Sequence, residues 1–350
     1  MFFSLSTLVL GLSSASAAPD AGVAVPVVPC AFETAAMSHD GDAADDPAVW
    51  VNRANPERSL IIGTDKKRGL MVYDLSGAPV QELPDGRMNN VDVVQGVRAP
   101  GGGTVDLVFA SNRDKDTIAA YQIASDGRLS ALPGGPFAAR ITGVYGLCAD
   151  LDPADGTARV VVNNKHGQVM IVRFLPGKNG FWRVAPIGSR QLGSQVEGCV
   201  IDTARGWLYV GEEAVGLWRF ALDAKAEPHR VLVDTVRGPN GGTLAPDVEG
   251  VTLYQRPGEP GYLLVSCQGE DRYAVFDADT NRALGSFRLS LTRPDGSLEP
   301  VTHTDGITVV SEPVGPRFPR GMLVVQDDNG GVGQNFKVVD WRDIERVLTK

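Results

Sequence analysis

Acidic and amide side chains recur along this chain about every fifty residues, each at the start of a short apolar run. The runs are DDPAVWV from Asp45, NNVDVV from Asn89, VYGLCAD from Val144, VEGCVID from Val196, VEGVTLY from Val248 and TDGITVV from Thr304. At matched points they carry Asp45 with Asp46, Asn90, Tyr145, Glu197, Asp247 with Glu249, and Asp305. A second set lies in the loops that follow: Lys66 with Lys67, Arg113, Lys165, Glu212 with Glu213, Gln268, and Asp327 with Asp328. This set is sorted by sign, with cations in the first three units and acidic or amide groups in the last three. Carboxylates brought together repel and raise one another's pKa unless a cation neutralises them. A cluster of oxygen donors without His or Cys favours a hard cation, Ca²⁺ above all outside the cell. Lys and Arg facing such a cation would grip an anion, best a phosphate.

That chemistry requires elements that bring distant residues to one place. Each unit holds a strand, a polar or Gly-containing loop and a second strand rich in Val, Tyr, Phe or Trp. Examples are SLIIGTDKKRGLMVYDL from Ser59, RVVVNNKHGQVMIVRF from Arg159 and WLYVGEEAVGLWRF from Trp207. Six such units, with a fourth strand in each intervening segment (285–291, for example), predict an all-β six-bladed β-propeller of mostly four-stranded antiparallel blades. With 41 Gly and 23 Pro there is little room for long helices, and only 343–348 reads as helical. In equivalent blades each polar set forms a ring at one level. Alone, each Glu-Gly or Asp-Gly is a turn; co-location in six units is what gives the pattern weight. Of Glu212 and Glu213, one is expected to face the channel and the other solvent, because strand neighbours alternate sides.

The net charge of −9 argues against nonspecific nucleic-acid binding and against an anionic membrane surface. At 43% hydrophobic the chain can bury a sizeable core. Residues 1–18 read as a signal peptide, with the apolar stretch from Phe2 to Leu12 and an Ala15-Ser16-Ala17 cleavage pattern but no positive n-region. The expected product is secreted or periplasmic, with a linker over 19–30 and a single propeller domain over 31–350. Cys148, Cys199 and Cys267 read as small buried hydrophobes; Cys30 is open to pairing with one of them.

GDAADDPAVWV, TDKKRGLMVYDLSG, NNVDV, ASNR, VYGL, VEGC, LYVGEEAVGLWRF, PDVEGVTLY, SCQG, HTDGI and NFKVVDW occur in the order found in the β-propeller phytases, the calcium-dependent alkaline phytases of bacteria. The resemblance runs from about Asp42 to Trp341. It implies a monomeric calcium enzyme that releases orthophosphate from myo-inositol hexakisphosphate by direct attack of a metal-bound water. It further implies several calcium ions held by Asp46, Glu197, Glu213, Asp247, Glu249, Gln268 and Asp305, with Asp42 and Asp45 in the same matched segment. Lys66, Lys67, Arg113 and Lys165 match phosphate-binding positions, and Tyr145 and Glu213 match the pair associated with the attacking water. The chain departs from the family pattern at His303 in THTDG and at QDDNG, 326–330. The resemblance implies outer calcium ligands at Glu299, Asp327, Asp328 and Asn329, and these departures bear on that outer set.

Two other classes fit a six-bladed ring: a noncatalytic platform for a protein or glycan, and a lactonase with one calcium. A platform needs aromatic hot spots, whereas this ring is charged; a lactonase has no use for the cationic arc.

Overall fold

The computed structural model describes residues 25–39, 41–223, 230–239, 241–329 and 333–348. The expected leader lies outside the described residues. Six sheets follow one another along the chain. Blades 1 to 5 occupy 44–83, 88–138, 144–191, 196–235 and 248–292. Blade 6 comprises Ile307–Val310, Met322–Asp327 and Asn335–Asp340, completed by Phe32–Glu33, which pairs antiparallel to Asn335–Asp340. The beginning and end of the chain thus share one sheet, which closes the ring. Val27–Pro29, in the stretch read as linker, is a short strand running parallel to Ala283–Thr292 on the edge of blade 5.

The second strand of each blade is a continuous apolar run because both faces of each sheet are buried. Successive side chains point to opposite faces. Ile61 packs with Tyr73, Val324 and Phe336 in the seam between blades 6 and 1. Its neighbour Ile62 packs with Val72, Val108 and Tyr121 in the seam between blades 1 and 2. Four further apolar clusters fill the other seams. Gly63 interrupts one such run because the Phe336 ring takes its side-chain space: a Cβ there would lie 2.0 Å from a ring carbon. The single described helix, Trp341–Leu348, begins two residues before the expected start. It is anchored by Trp341, which stacks on Tyr254 with ring centroids 3.7 Å apart.

Cys148 and Cys199 are joined in a disulfide, correcting the reading of both as packed thiols. They lie on the innermost strands of blades 3 and 4 and are neighbours only once those blades stand side by side, with Cα atoms 5.7 Å apart. Cys30 and Cys267 are free.

A β-bulge shapes the innermost strand of blades 1 to 5. Pairing skips from Ala44 to Pro47, Met88 to Val91, Val144 to Leu147, Val196 to Cys199 and Val248 to Val251. Two residues therefore oppose one, and the extra residue re-aims the side chain beside it. The bulge pairs are Asp45-Asp46, Asn89-Asn90, Tyr145-Gly146, Glu197-Gly198 and Glu249-Gly250, with Asp305-Gly306 at the same point of blade 6. In three consecutive blades the opposed residue ties its own bulge to the next. Thr64 Oγ1 accepts from the Asp46 amide (2.9 Å) and donates to Asn89 O (2.6 Å). Ser111 Oγ accepts from the Asn90 amide (2.9 Å) and donates to Tyr145 O (2.6 Å). Asn163 accepts from the Gly146 amide (3.0 Å) and donates to Glu197 O (2.6 Å).

In four of the six pairs glycine stands second, because the next blade's backbone presses on it. A Cβ at Gly198 would meet Glu249 O at 2.1 Å and the Gly250 Cα at 2.9 Å. Neither atom can rotate away, so Gly198→Ala should lower stability by about 1–3 kcal/mol or more. Gly101, with nothing within 4 Å of its Cβ position, should accept Ala within about 0.5 kcal/mol. Thermal melts of both variants at one fixed calcium concentration check this; equal melting temperatures would show that the blades do not press at the bulge.

Candidate active site

The bulges of blades 1 to 5 deliver Asp45, Asn89, Tyr145, Glu197 and Glu249, and the equivalent point of blade 6 delivers Asp305, as one ring around the axis. Two residues beyond the bulge-facing position of the second strand come Lys66, Arg113, Lys165, Glu213, Gln268 and Asp328. This register singles out Lys66 over Lys67, Glu213 over Glu212 and Asp328 over Asp327.

Glu197, Glu213 and Glu249 each place a carboxylate oxygen within 4.8 Å of the others, and all three are buried. Asn89 Nδ2 donates to Glu197 Oε1 at 2.6 Å, and Arg113 Nη1 holds Asn89 Oδ1 at 3.0 Å. Gln195 Nε2 donates to Glu213 Oε1 at 2.7 Å. Glu249 Oε2 is buried without a hydrogen-bond partner. Burial pushes Glu197 and Glu249 above the ordinary carboxylate range, reinforced by Asp305 at Glu197 and by Glu197, Glu213 and Asp305 at Glu249. Glu213 is raised to about 7, first by burial and then by Glu197 and Asp247, against the Gln195 hydrogen bond and Lys165, which lower it. An oxygen-only pocket with an orphaned carboxylate oxygen and carboxyls whose pKa values are raised by burial fits a hard divalent cation.

On the cationic side, Tyr145 is the platform. Lys165 Nζ sits 4.1 Å from its ring centroid and the Arg113 guanidinium 5.4 Å. The phenol is pushed well above its usual range by burial and by Glu197, Asp45 and Glu249, so it stays a neutral donor. Lys165 is exposed and Arg113 half-buried, which leaves both able to reach an anion above the ring.

Lys66 is placed differently from a solvent-facing phosphate ligand. Its Nζ lies 2.6 Å from Asp42, 2.8 Å from Asp45 and 2.7 Å from Asp305, and the side chain is 9% exposed. Lys67 is exposed at the rim, its amide on Asp65. Gln268 donates to the other oxygen of Asp305, and Asp247, half-buried, receives the Gln268 amide on its carbonyl. Asp46 turns away from this cage: it accepts the Val91 amide at 3.0 Å and lines the channel between inner strands.

The four outer residues separate. Glu299 and Asp327 each lie 3.1 Å from Lys337 Nζ, which is fully buried and also pairs with Glu33. Arg293 bridges Glu33 and Glu299. The protein's own cations therefore neutralise that cluster. Asp328 accepts from Gln334, whose Oε1 holds the Ala43 and Ala44 amides at 2.7 and 2.8 Å. Asn329 gives its amide to Asp327 at 3.2 Å.

Glu212 does not face solvent as expected of the outward neighbour. It is buried, accepting from the Ser194 amide and hydroxyl at 2.7 Å each and from Trp218 Nε1 at 2.7 Å. Alternation sends it to the opposite side of the strand from Glu213, but that side is covered by the third strand and the preceding loop. Gln195 and Asn89 were not legible as site residues: Gln195 lies outside any repeated pattern, and Asn89 reads as the neighbour of the matched Asn90.

Residues 2–350 match the Phytase family. The 3-phytase of Bacillus subtilis (strain 168) is 36% identical over 328 residues, 90% of this chain and 84% of that protein. The chain therefore belongs to the Phytase family, as the ordered motifs implied, and is a phosphoric monoester hydrolase. Among solved structures, the β-propeller domain of Cps50 (Swd1) from Myceliophteria thermophila aligns at TM-score 0.46 and 10% identity, covering 85% of this chain and 83% of that one. A nidogen/laminin complex aligns at TM-score 0.47 and 13% identity, covering 76% and 84%.

The raised Glu213 carboxyl sets the sign of a pH effect. Between its unfolded value near 4.5 and its folded value of about 7, the folded chain holds a proton that the unfolded chain releases. The stability that this proton contributes to the metal-free chain is therefore full below the lower value and lost as pH rises through the upper one. Melting temperatures of calcium-stripped protein should fall across that interval, and Glu213→Gln should flatten the fall. A slope unchanged in the variant would place the titrating group elsewhere.

Proposed function

We propose that this chain is a calcium-dependent phytase acting at the axial cluster. The observation that carries the reading is the close approach of Glu197, Glu213 and Glu249 opposite Arg113 and Lys165 on Tyr145. Glu197, Glu213, Glu249, Asp305, Gln268 and Asp247 would hold calcium, with Asp42 and Asp45 beside them. When bound, calcium supplies charge that neutralises phosphate oxygens and acidifies a coordinated water. Lys165 and Arg113 bind and orient the phosphate; Lys66, enclosed by three carboxylates, contributes charge rather than a direct grip. Glu213 is suited to take a proton near neutral pH, with Gln195 fixing Oε1 and leaving Oε2 for a water. Neutral Tyr145 donates a hydrogen bond and keeps the two cations over its ring.

The substrate is a phytate-like inositol phosphate, in line with the 3-phytase relative. Export to an oxidising compartment is supported by the disulfide. No helix among the described residues is long and apolar enough to cross a membrane. The platform and lactonase readings leave the cationic arc without a task.

Phosphate release from phytate should stop in chelator and return with added Ca²⁺; full activity in chelator would overturn the calcium reading. In calcium, Glu213→Gln should lower kcat by about 10² or more with phytate binding retained. Glu212→Gln should keep most activity but melt earlier, because three buried donors lose a charged acceptor. The reverse pattern would exchange the roles assigned to the two glutamates. Lys165→Ala should raise KM for phytate while leaving the melting temperature nearly unchanged; unaltered kinetics would remove Lys165 from the site.

A further inference from the structure

The outer strands of blades 3 and 4 enclose a groove of about 500 Å³, away from the axis. Three arginines line it: Arg140, Arg190 and Arg230. Arg190 is only 9% exposed. Its terminal nitrogens donate to the Ser189 and Ala221 carbonyls at 2.9 Å each, while its Nε is buried without a partner. Burial lowers its pKa, and the one carboxylate acting on it, Asp223, does so through space. A guanidinium stays charged even so. Arg230 lies over the Trp218 ring at 5.0 Å and, among the described residues, hydrogen-bonds the Gln191 carbonyl at a long 3.4 Å. Arg140 is exposed at φ +68°. Among the described residues none of the three forms an ion pair, in a protein whose net charge is −9. The amides of Gln168 and Gln191 add polar edges, and Met170 and Phe220 an apolar floor.

Three guanidiniums thus line one groove, the nearly buried Arg190 among them, and no carboxylate is paired with any of the three among the described residues. We propose that Arg140, Arg190 and Arg230 form a second anion site that takes a phosphate group, either free orthophosphate or one phosphate of an inositol phosphate. Guanidinium forks match the oxygens of a tetrahedral phosphate, and an enzyme of this family meets both sources. The site is independent of the axial reading.

The test is titration of full-length protein stripped of calcium and freed of chelator, followed by calorimetry and by tryptophan emission, which Arg230 would shift through Trp218. One arm uses orthophosphate and the other phytate. Arg190 also bonds two carbonyls, so the Arg140→Ala/Arg230→Ala double variant carries the test. Saturable binding is expected in the parent protein, weakened at least tenfold in the double variant and retained in Lys165→Ala, with phytate hydrolysis in calcium unchanged in the double variant. Binding of both probes identifies orthophosphate as sufficient, and binding of phytate alone identifies the ester as the ligand. The proposal fails if the stripped parent protein binds neither probe, if the double variant titrates like the parent, or if Lys165→Ala removes the binding.

Discussion

One irregularity, the bulge in the innermost strand, is what the site depends on. A regular strand would send alternate side chains into the two seams and none toward the axis. Adding one residue turns the first member of each bulge pair inward, and repetition in the ring makes six inward groups converge. The bulge opens backbone amides and carbonyls that would be costly if left unpaired. Thr64, Ser111 and Asn163 answer this by bonding their own bulge and the next one at once. Blade-to-blade spacing and inward aim are therefore set by the same atoms. Where the bulge's second residue is Gly, the neighbouring backbone closes in; where it is Asp46, the side chain itself spans to the Val91 amide.

Converging the ring creates an electrostatic problem. Two unit charges 4.8 Å apart repel by roughly 3 kcal/mol at an effective dielectric near 20, and the axial trio contains three such pairs. Without a counter-charge the carboxyls hold their protons to higher pH than usual, the direction in which Glu197, Glu213 and Glu249 are all shifted. Protonation is a poor solution at neutral or alkaline pH. A bound divalent cation would remove the repulsion and release the protons, so that metal binding, stability and ionisation of Glu213 would be coupled.

The fold was legible because its physics is local and repeated. Runs such as RVVVNN and YLLVSC are apolar without alternation, as sheets buried on both faces demand, and their sixfold recurrence fixes the ring. Inward-facing residues were legible where charge and repetition coincide, as at Glu197, Glu249 and Asp305. The rest depends on contacts between blades. Cys148 and Cys199 lie about fifty residues apart in sequence and are adjacent only because their blades are consecutive. Glu212 reads as a surface loop residue until Ser194 and Trp218 are seen to cover it. Gln195 carries no pattern at all, since it serves one carboxylate in one blade.

Two carboxylate clusters in this molecule have opposite fates. Glu33, Glu299 and Asp327 surround the fully buried Lys337, on the sheet where the N-terminal strand closes the ring. A covalently attached cation suits that place: it cannot dissociate, and it ties the closing strand to blade 6 whatever the solution contains. At the axis Lys66 meets Asp42, Asp45 and Asp305 in the same manner, yet its single charge does not extend to Glu249, whose Oε2 stays unpartnered. A second lysine beside Glu249 would fill the space that the proposed cation and phosphate need. The seam thus uses a fixed cation where permanence is needed, and the axis leaves acidity uncompensated, as the proposed exchangeable cation and substrate anion would require.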